Sequence, residues 1–371
     1  MHDLIKVTEV DGTASPRVYT SQDTAKKCFP LSSRPQNLRH LLAINMRPAH
    51  IPLKTSDDDD DMDGSLTWEA VLQRREEDFN SYHPVILENL RTVVSKDSTD
   101  PSRIDFVRFE GLNHREAPCA STWHALDGLL PRHLELKCGW DEHCDLSPLD
   151  ELETKWPLES LTLTDACATP LSASCLGNIS SLTLYFCSGV TISPSYNAGR
   201  ALRRLRIEGN NVIDMFIGMS KRGIVDSVEE VRISNTNGGE EEYESSEFFE
   251  VLPRHTSIRS FDLAVSLRPH DPCYHALPLH LPPNIEHLRF RGPPETAGDL
   301  SNWLKCAKDP GWLPHLKTFS FHLDVELSDD RICKIYQGYP PPRPLTTEDR
   351  GRVQELLDAA LQHHTGLRLV D

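Results

Sequence analysis

Residues 202–211 read LRRLRIEGNN. Leu202, Leu205 and Ile207 stand in an L-x-x-L-x-I frame, Asn210 follows three residues later, and arginines fill three of the gaps. In an extended strand successive side chains point to opposite faces. Leu205 and Ile207 therefore share one face, and Arg204, Arg206 and Glu208 share the other. Whether the frame is a local accident or a repeating unit decides the fold.

The frame recurs along the chain. It is carried by Ile104, Val107 and Phe109; by Leu134 and Leu136 behind Pro131; by Leu158, Leu161 and Leu163; and by Ile179, Leu182 and Leu184. Beyond the opening stretch it returns at Val228, Val231 and Ile233; at Ile258, Phe261 and Leu263; at Ile285, Leu288 and Phe290; and at Leu316, Phe319 and Phe321. The first positions fall 21 to 31 residues apart, a spacing that suits leucine-rich repeats. One unit cannot stand alone. Three inward side chains offer about 1.5–3 kcal/mol each on burial, whereas ordering each of its residues costs roughly 1–2 kcal/mol. Stacked units share a core, and their strands pair as a parallel sheet while the return segments close the far side.

With Cys187 and Asn210 in the place after the strand, the sequence resembles the leucine-rich repeat superfamily in its irregular form, over roughly residues 100–330. That resemblance implies an α/β fold: a leucine-rich repeat solenoid, or horseshoe, with a parallel sheet on the concave side and helices or irregular segments on the convex side. The irregular repeats, acidic inserts and PRHLEL unit are also similar to those of fungal leucine-rich repeat proteins, many of which begin with an F-box. In that family the F-box recruits a ubiquitin ligase and the repeats hold the substrate. No segment before residue 37 resembles the F-box, so no residue is carried over for ligase recruitment.

Apolar residues recur at helical spacing in 212–223, 245–255 and 299–309, the expected return segments. Residues 346–364 predict a closing helix. Thr346 and Asp349 form a capping-box-like pair, an apolar stripe runs through Val353, Leu356, Leu357, Ala360 and Leu361, and Gly366 ends the helix before LRLV, a last strand. His363 and His364 would place cations at its negative end. Upstream, LRHLLAI (38–44) is expected as an early strand and TWEAVLQRREEDF (67–79) as a helix. The organisation that results is an N-terminal segment, 1–36, before one irregular repeat domain, 37–371, with a disordered acidic insert near 55–66. The block SDDDDDMDG (56–64) within it repels itself and lacks the spaced D-x-D-x-D-G frame of a calcium loop.

The 371 residues carry a formal net charge of −17, hold 38% hydrophobic residues and contain no apolar run of about 20 residues. A membrane span is not expected. The start, MHDLIKVTEVDG, lacks the regions of a secretion signal, which points to a cytoplasmic or nuclear protein whose ten cysteines are thiols. The sequon at Asn178 is then unused.

Alternation places basic Arg108, Lys137, Arg204, Arg206, Arg232, Arg289 and Arg291 on the open face, against Glu110, Glu135, Glu208, Glu230 and Asp262. That wall is more basic than the chain as a whole. Nine strands at a spacing of about 4.8 Å would make it some 40 Å long, large enough for a protein and oversized for a metabolite. A protein partner bearing an acidic or phosphorylated segment is the expectation, with Arg108, Arg204, Arg206, Arg232, Arg289 and Arg291 as its contacts. Nucleic acid is not, because phosphate binding calls for a broad basic field.

No phosphate-binding glycine loop, nucleophile elbow or H-E-x-x-H occurs, so neither catalysis nor a cofactor is expected. The alternatives are an F-box-like substrate receptor of a ubiquitin ligase and, in another class, a metal-dependent protein or enzyme using His133, Cys138, His143 and Cys144, whose spacing matches no common zinc finger. GYPPPRP (338–344) reads as a rigid connector, with a polyproline ligand as its sharper interpretation.

Overall fold

The computed structural model describes residues 6–10, 17–20, 40–45, 83–92, 94, 104–112, 118–142, 144, 146–167, 169–171, 177–192, 202–209, 211–235, 245–265, 273–323 and 344–370. The helix expected at 67–79, the acidic block at 56–64, Asn210, His143 and all but the last residue of GYPPPRP lie outside these residues. In chain order the strands are β1 (Lys6–Val10), β2 (Arg17–Thr20), β3 (His40–Asn45), β4 (Phe106–Leu112), β5 (His133–Glu142), β6 (Ser160–Ala166), β7 (Pro170–Leu171) and β8 (Ser181–Tyr185). They continue as β9 (Thr191–Ile192), β10 (Arg204–Gly209), β11 (Glu230–Asn235), β12 (Ser260–Val265), β13 (His287–Arg291), β14 (Thr318–His322) and β15 (Arg368–Leu369). Each of the nine frames yields a strand. The chain divides into two compact units, residues 1–179 with 187–196, and residues 180–186 with 197–371.

In the first unit the strand order is β2-β1-β3-β4-β5-β6, parallel throughout except for β2. Pairing in register lines up the apolar positions of the frame. Leu42, Val107, Leu134 and Leu161 form one buried row, and Ile44, Phe109, Leu136 and Leu163 the next. Behind them lies the helix Ala120–Ala125, whose fully buried Trp123 meets Phe109 edge-on at 5.1 Å. The register slips after Lys137, and the backbone folds back so that Cys144 reaches Cys138. These two cysteines are joined in a disulfide, which corrects the expectation of thiols for this pair.

The second unit orders its strands β8-β10-β11-β12-β13-β14-β15, all parallel. Leu182, Leu205, Val231, Phe261, Leu288 and Phe319 are register partners and buried, as are Leu184, Ile207, Ile233, Leu263, Phe290 and Phe321 two residues on. Helices cover their far side. The helix Val212–Lys221 buries Phe216 against Phe248 of the helix Ser245–Val251, with ring centroids 5.7 Å apart, and Trp303 of the helix Ser301–Ala307 packs on Phe290 and Phe321. The closing helix, Thr347–His363, has the capping box of Thr346 and Asp349. Its buried face differs slightly from the expected stripe: Leu356, Ala359 and Ala360 are inside, and Leu361 is exposed.

One recurrent feature explains how units stack. The residue after the first apolar position donates its backbone N–H, together with that of its successor, to a single carbonyl in the preceding unit. Arg132 and His133 share Asp105, Glu229 and Glu230 share Arg203, Arg259 and Ser260 share Glu229, and Lys317 and Thr318 share Glu286. The side chains at this position alternate in sign. The first unit has Asp105, Arg132 and Glu159; the second begins with the uncharged Ser180 and continues with Arg203, Glu229, Arg259, Glu286 and Lys317. Arg132 pairs with Glu159, Arg203 with Glu229 at 2.7 Å, and Glu286 with both Arg259 at 3.1 Å and Lys317. Exposed pairs of this kind are individually weak, but their alternation opposes a slip of one whole unit, which would set like charges together.

Candidate functional site

On the second unit, alternation turns every other side chain of β8 and β10–β14 away from the core, and the register sorts them into rows. The first row runs Ser181, Arg204, Glu230, Ser260, His287, Thr318. The middle row runs Thr183, Arg206, Arg232, Asp262, Arg289, Ser320, and the third Tyr185, Glu208, Ser234, Ala264, Arg291, His322. Five of the expected arginines are thus brought onto one face, together with Glu208, Glu230 and Asp262.

Their environments differ. Arg206 bonds Glu208 at 3.0 Å and lies over the Tyr185 ring, its guanidinium carbon 4.9 Å from the centroid, a cation–π contact. Asp262 is a hub, 3.5 Å from Arg232 and 3.1 Å from Arg291. Burial, followed by the nearby positive charge of Arg206, pushes the Arg232 guanidinium down from its usual range, with Asp262 opposing the shift. Arg204 and Arg289 are exposed and make no ion pair among the described residues. Excess guanidinium therefore sits at two places on the face.

Small side chains among these long ones open a recess of about 240 Å³ over β11–β14. Its charged and polar lining includes Glu230, Arg232, Asp262, His287, Arg289 and Ser320, and Val370 also lines it. Ser320 is only 5% exposed, and among the described residues its hydroxyl has no hydrogen-bond partner.

Arg108 does not share this exposure. It belongs to the first unit, is 9% exposed, and lies 2.6 Å from Glu110 and 3.6 Å from Glu135. Burial raises the Glu135 carboxyl and Arg108 opposes that rise. Flanking carboxylates hold this arginine against the outward side of the sheet, where little of it is exposed.

The His133–Cys144 cluster is also rearranged. Cys138 and Cys144 are bonded to each other and offer no thiolate, while His133 Nδ1 lies 2.7 Å from Ser160 Oγ on the neighbouring strand. Among the described residues no group of three His, Cys, Asp or Glu is placed to hold a metal. His364 is buried against Trp312, and desolvation lowers its pKa, so it is not the helix-end cation expected of it. Among the described residues no helix is long and apolar enough to cross a membrane.

One reactive group escaped the sequence. Cys119 Sγ lies 3.3 Å from His83 Nε2 and 3.0 Å from Ser121 Oγ. Burial alone would raise its pKa, but hydrogen bonds from His83, Ser121 and Thr122 outweigh that and bring it down to about 6. Ser121 and Thr122 adjoin the cysteine in sequence, whereas His83 stands 36 residues away with no motif linking them.

The chain matches no known family profile and no curated protein sequence.

Proposed function

We propose that this protein is an irregular leucine-rich repeat solenoid acting as a non-catalytic binding module, with the outward sheet face of its second unit as the docking surface for a protein partner. The recurring frame, the parallel strands in register and the helical return segments support the repeat assignment. The observation that carries the binding function is the unequal matching of charge: Arg204 and Arg289 are exposed without an ion pair among the described residues, on a face whose other arginines have one. Unmatched guanidiniums on a rigid sheet are suited to meet carboxylates or phosphorylated side chains, since their fork geometry pairs with planar anions.

Capture from native extract tests this proposal, with wild type compared against Arg204→Glu/Arg289→Glu and against Arg203→Glu. The first variant inverts the docking face and the second perturbs only the stacking ladder. Loss of the captured partner in the first variant alone, with circular dichroism unchanged, is the expected outcome. An identical partner set for all three proteins removes the face from consideration.

A further inference from the structure

The recess on the second unit has a floor and wall that define a more specific occupant than a protein surface in general. We infer that it is an anchor for one carboxylate, an aspartate or glutamate side chain of the partner, gripped by Arg289 and Ser320. This deepens the docking-face proposal and rests on it.

Three observations lead there. First, Ser320 sits in the recess lining nearly fully buried, with a hydroxyl that has no partner among the described residues. A buried hydroxyl of this kind is costly unless something accepts its hydrogen, and an entering carboxylate oxygen would do so. Second, Arg289 is the register neighbour of Ser320 on the adjacent strand, lines the same recess and has no ion pair among the described residues. Its fork can take one carboxylate face-on while the hydroxyl of Ser320 reaches the other oxygen. Third, the face already binds one carboxylate in this way. Asp262, the neighbour of Arg289 on its other side, is held between Arg232 and Arg291. Arg289 is the flanking cation that Asp262 leaves unused.

Charge decides between a carboxylate and a phosphate. Glu230, Asp262 and Arg232 line the recess too, and Arg232 is already engaged by Asp262, so a dianionic phosphate would suffer the repulsion of the carboxylates doubly while finding only one unmatched guanidinium, Arg289. A monoanion balances Arg289. His287, with Nδ1 2.8 Å from Thr318 Oγ1, is fixed on the wall. The volume of about 240 Å³ suits the tip of one side chain rather than a length of chain.

The test uses the full chain and three capped tetrapeptides, of glutamate, glutamine and phosphoserine, titrated at low ionic strength. Saturable millimolar binding of the glutamate peptide is expected, as is typical of a single anchoring group without its flanking contacts. Arg289→Gln should weaken it about tenfold and Ser320→Ala about threefold. Glu230→Gln should strengthen it, because the substitution removes a repelling charge, and Arg203→Gln, in the stacking ladder outside the face, should leave it unchanged. The inference is overturned if the glutamine peptide binds equally well, if phosphoserine binds more tightly than glutamate, if Arg289→Gln has no effect, or if the glutamate peptide shows no saturable binding. Were the partner still lost from Arg204→Glu/Arg289→Glu in any of those cases, the docking face would stand and only the carboxylate anchor would fall.

Discussion

Two glycines in the second unit should respond to the same substitution with opposite signs. Gly209 ends β10 with φ +131°, and a Cβ built there would lie 2.8 Å from the Cα and 2.9 Å from the N of Phe186. Those are backbone atoms, fixed by the hydrogen bond from Phe186 N–H to the Glu208 carbonyl, so no rotamer relieves the clash. A non-glycine residue in such a conformation costs about 1–3 kcal/mol, and forcing an extra methyl into packed structure adds about 1–3 kcal/mol. Gly209→Ala should therefore destabilise by about 2–6 kcal/mol. Gly218 lies inside the helix Val212–Lys221, where an added Cβ meets nothing within 4 Å. Gly218→Ala should stabilise by roughly 0.5–1 kcal/mol, because alanine restricts the unfolded chain and favours helix. Urea denaturation followed by tryptophan fluorescence is a suitable measurement, with Trp303 and Trp312 reporting on this unit. If the two variants shift stability in the same direction, or Gly209→Ala stays within about 1 kcal/mol of wild type, the close approach of β10 to the end of β8 is not as described.

Further expectations concern the core and four titrating side chains. Leu205→Ala, at a position 1% exposed, should cost about 2–5 kcal/mol in the same denaturation assay, and a loss well under that range would remove Leu205 from the buried row. Cys119, with its pKa near 6, should alkylate with iodoacetamide at a rate that is flat above neutrality and falls below pH 6, whereas Cys306, whose thiol burial pushes up, should lag far behind; equal rates at pH 7 would contradict the His83 contact. Burial holds His255 and His364 below the usual histidine value of 6.5. The unfolded chain takes up their protons first, so stability is complete above that value and falls as pH drops through it toward the folded values. His255→Gln should reduce the stability lost between about pH 7.5 and 5.5, and an undiminished loss would count against burial as the cause.

Legibility in the sequence followed the range of each interaction. The strands were visible because alternation of period two is written in single residues, and Leu205 and Ile207 need no distant partner to declare their face. The closing helix was visible because Thr346 and Asp349 cap it locally. Local pattern was silent where burial depended on neighbours in other units. Arg108 carries the same signature as Arg206, yet Glu110 and Glu135 draw it down. Leu361 belongs to the apolar stripe, yet the face buried by packing runs through Ala359 instead. Cys138 and Cys144 meet because the register of β5 slips, and Cys119 finds His83 across 36 residues. The recess needs four strands side by side before it exists, so no stretch of sequence could have announced it.

The stacking ladder bears on whether the arginines of the sheet face mean anything. If exposed positions of this sheet merely tolerated polar residues, its charges would be expected to cancel locally or to scatter. At the start of β10–β14 they nearly cancel: Arg203, Glu229, Arg259, Glu286 and Lys317 alternate, and three ion pairs join them. A few residues along, on the same strands, the alternation stops. Arg206 and Arg232 are neighbours in register, and Arg289 flanks an Asp262 already shared by two other arginines. Like charges side by side cost stability unless something compensates them, and here compensation is incomplete in a chain whose net charge is −17. Within one sheet, then, one column of positions has its signs ordered for stacking, while the face beside it holds surplus positive charge. That contrast favours an external anion over indifference as the reason for the arginines.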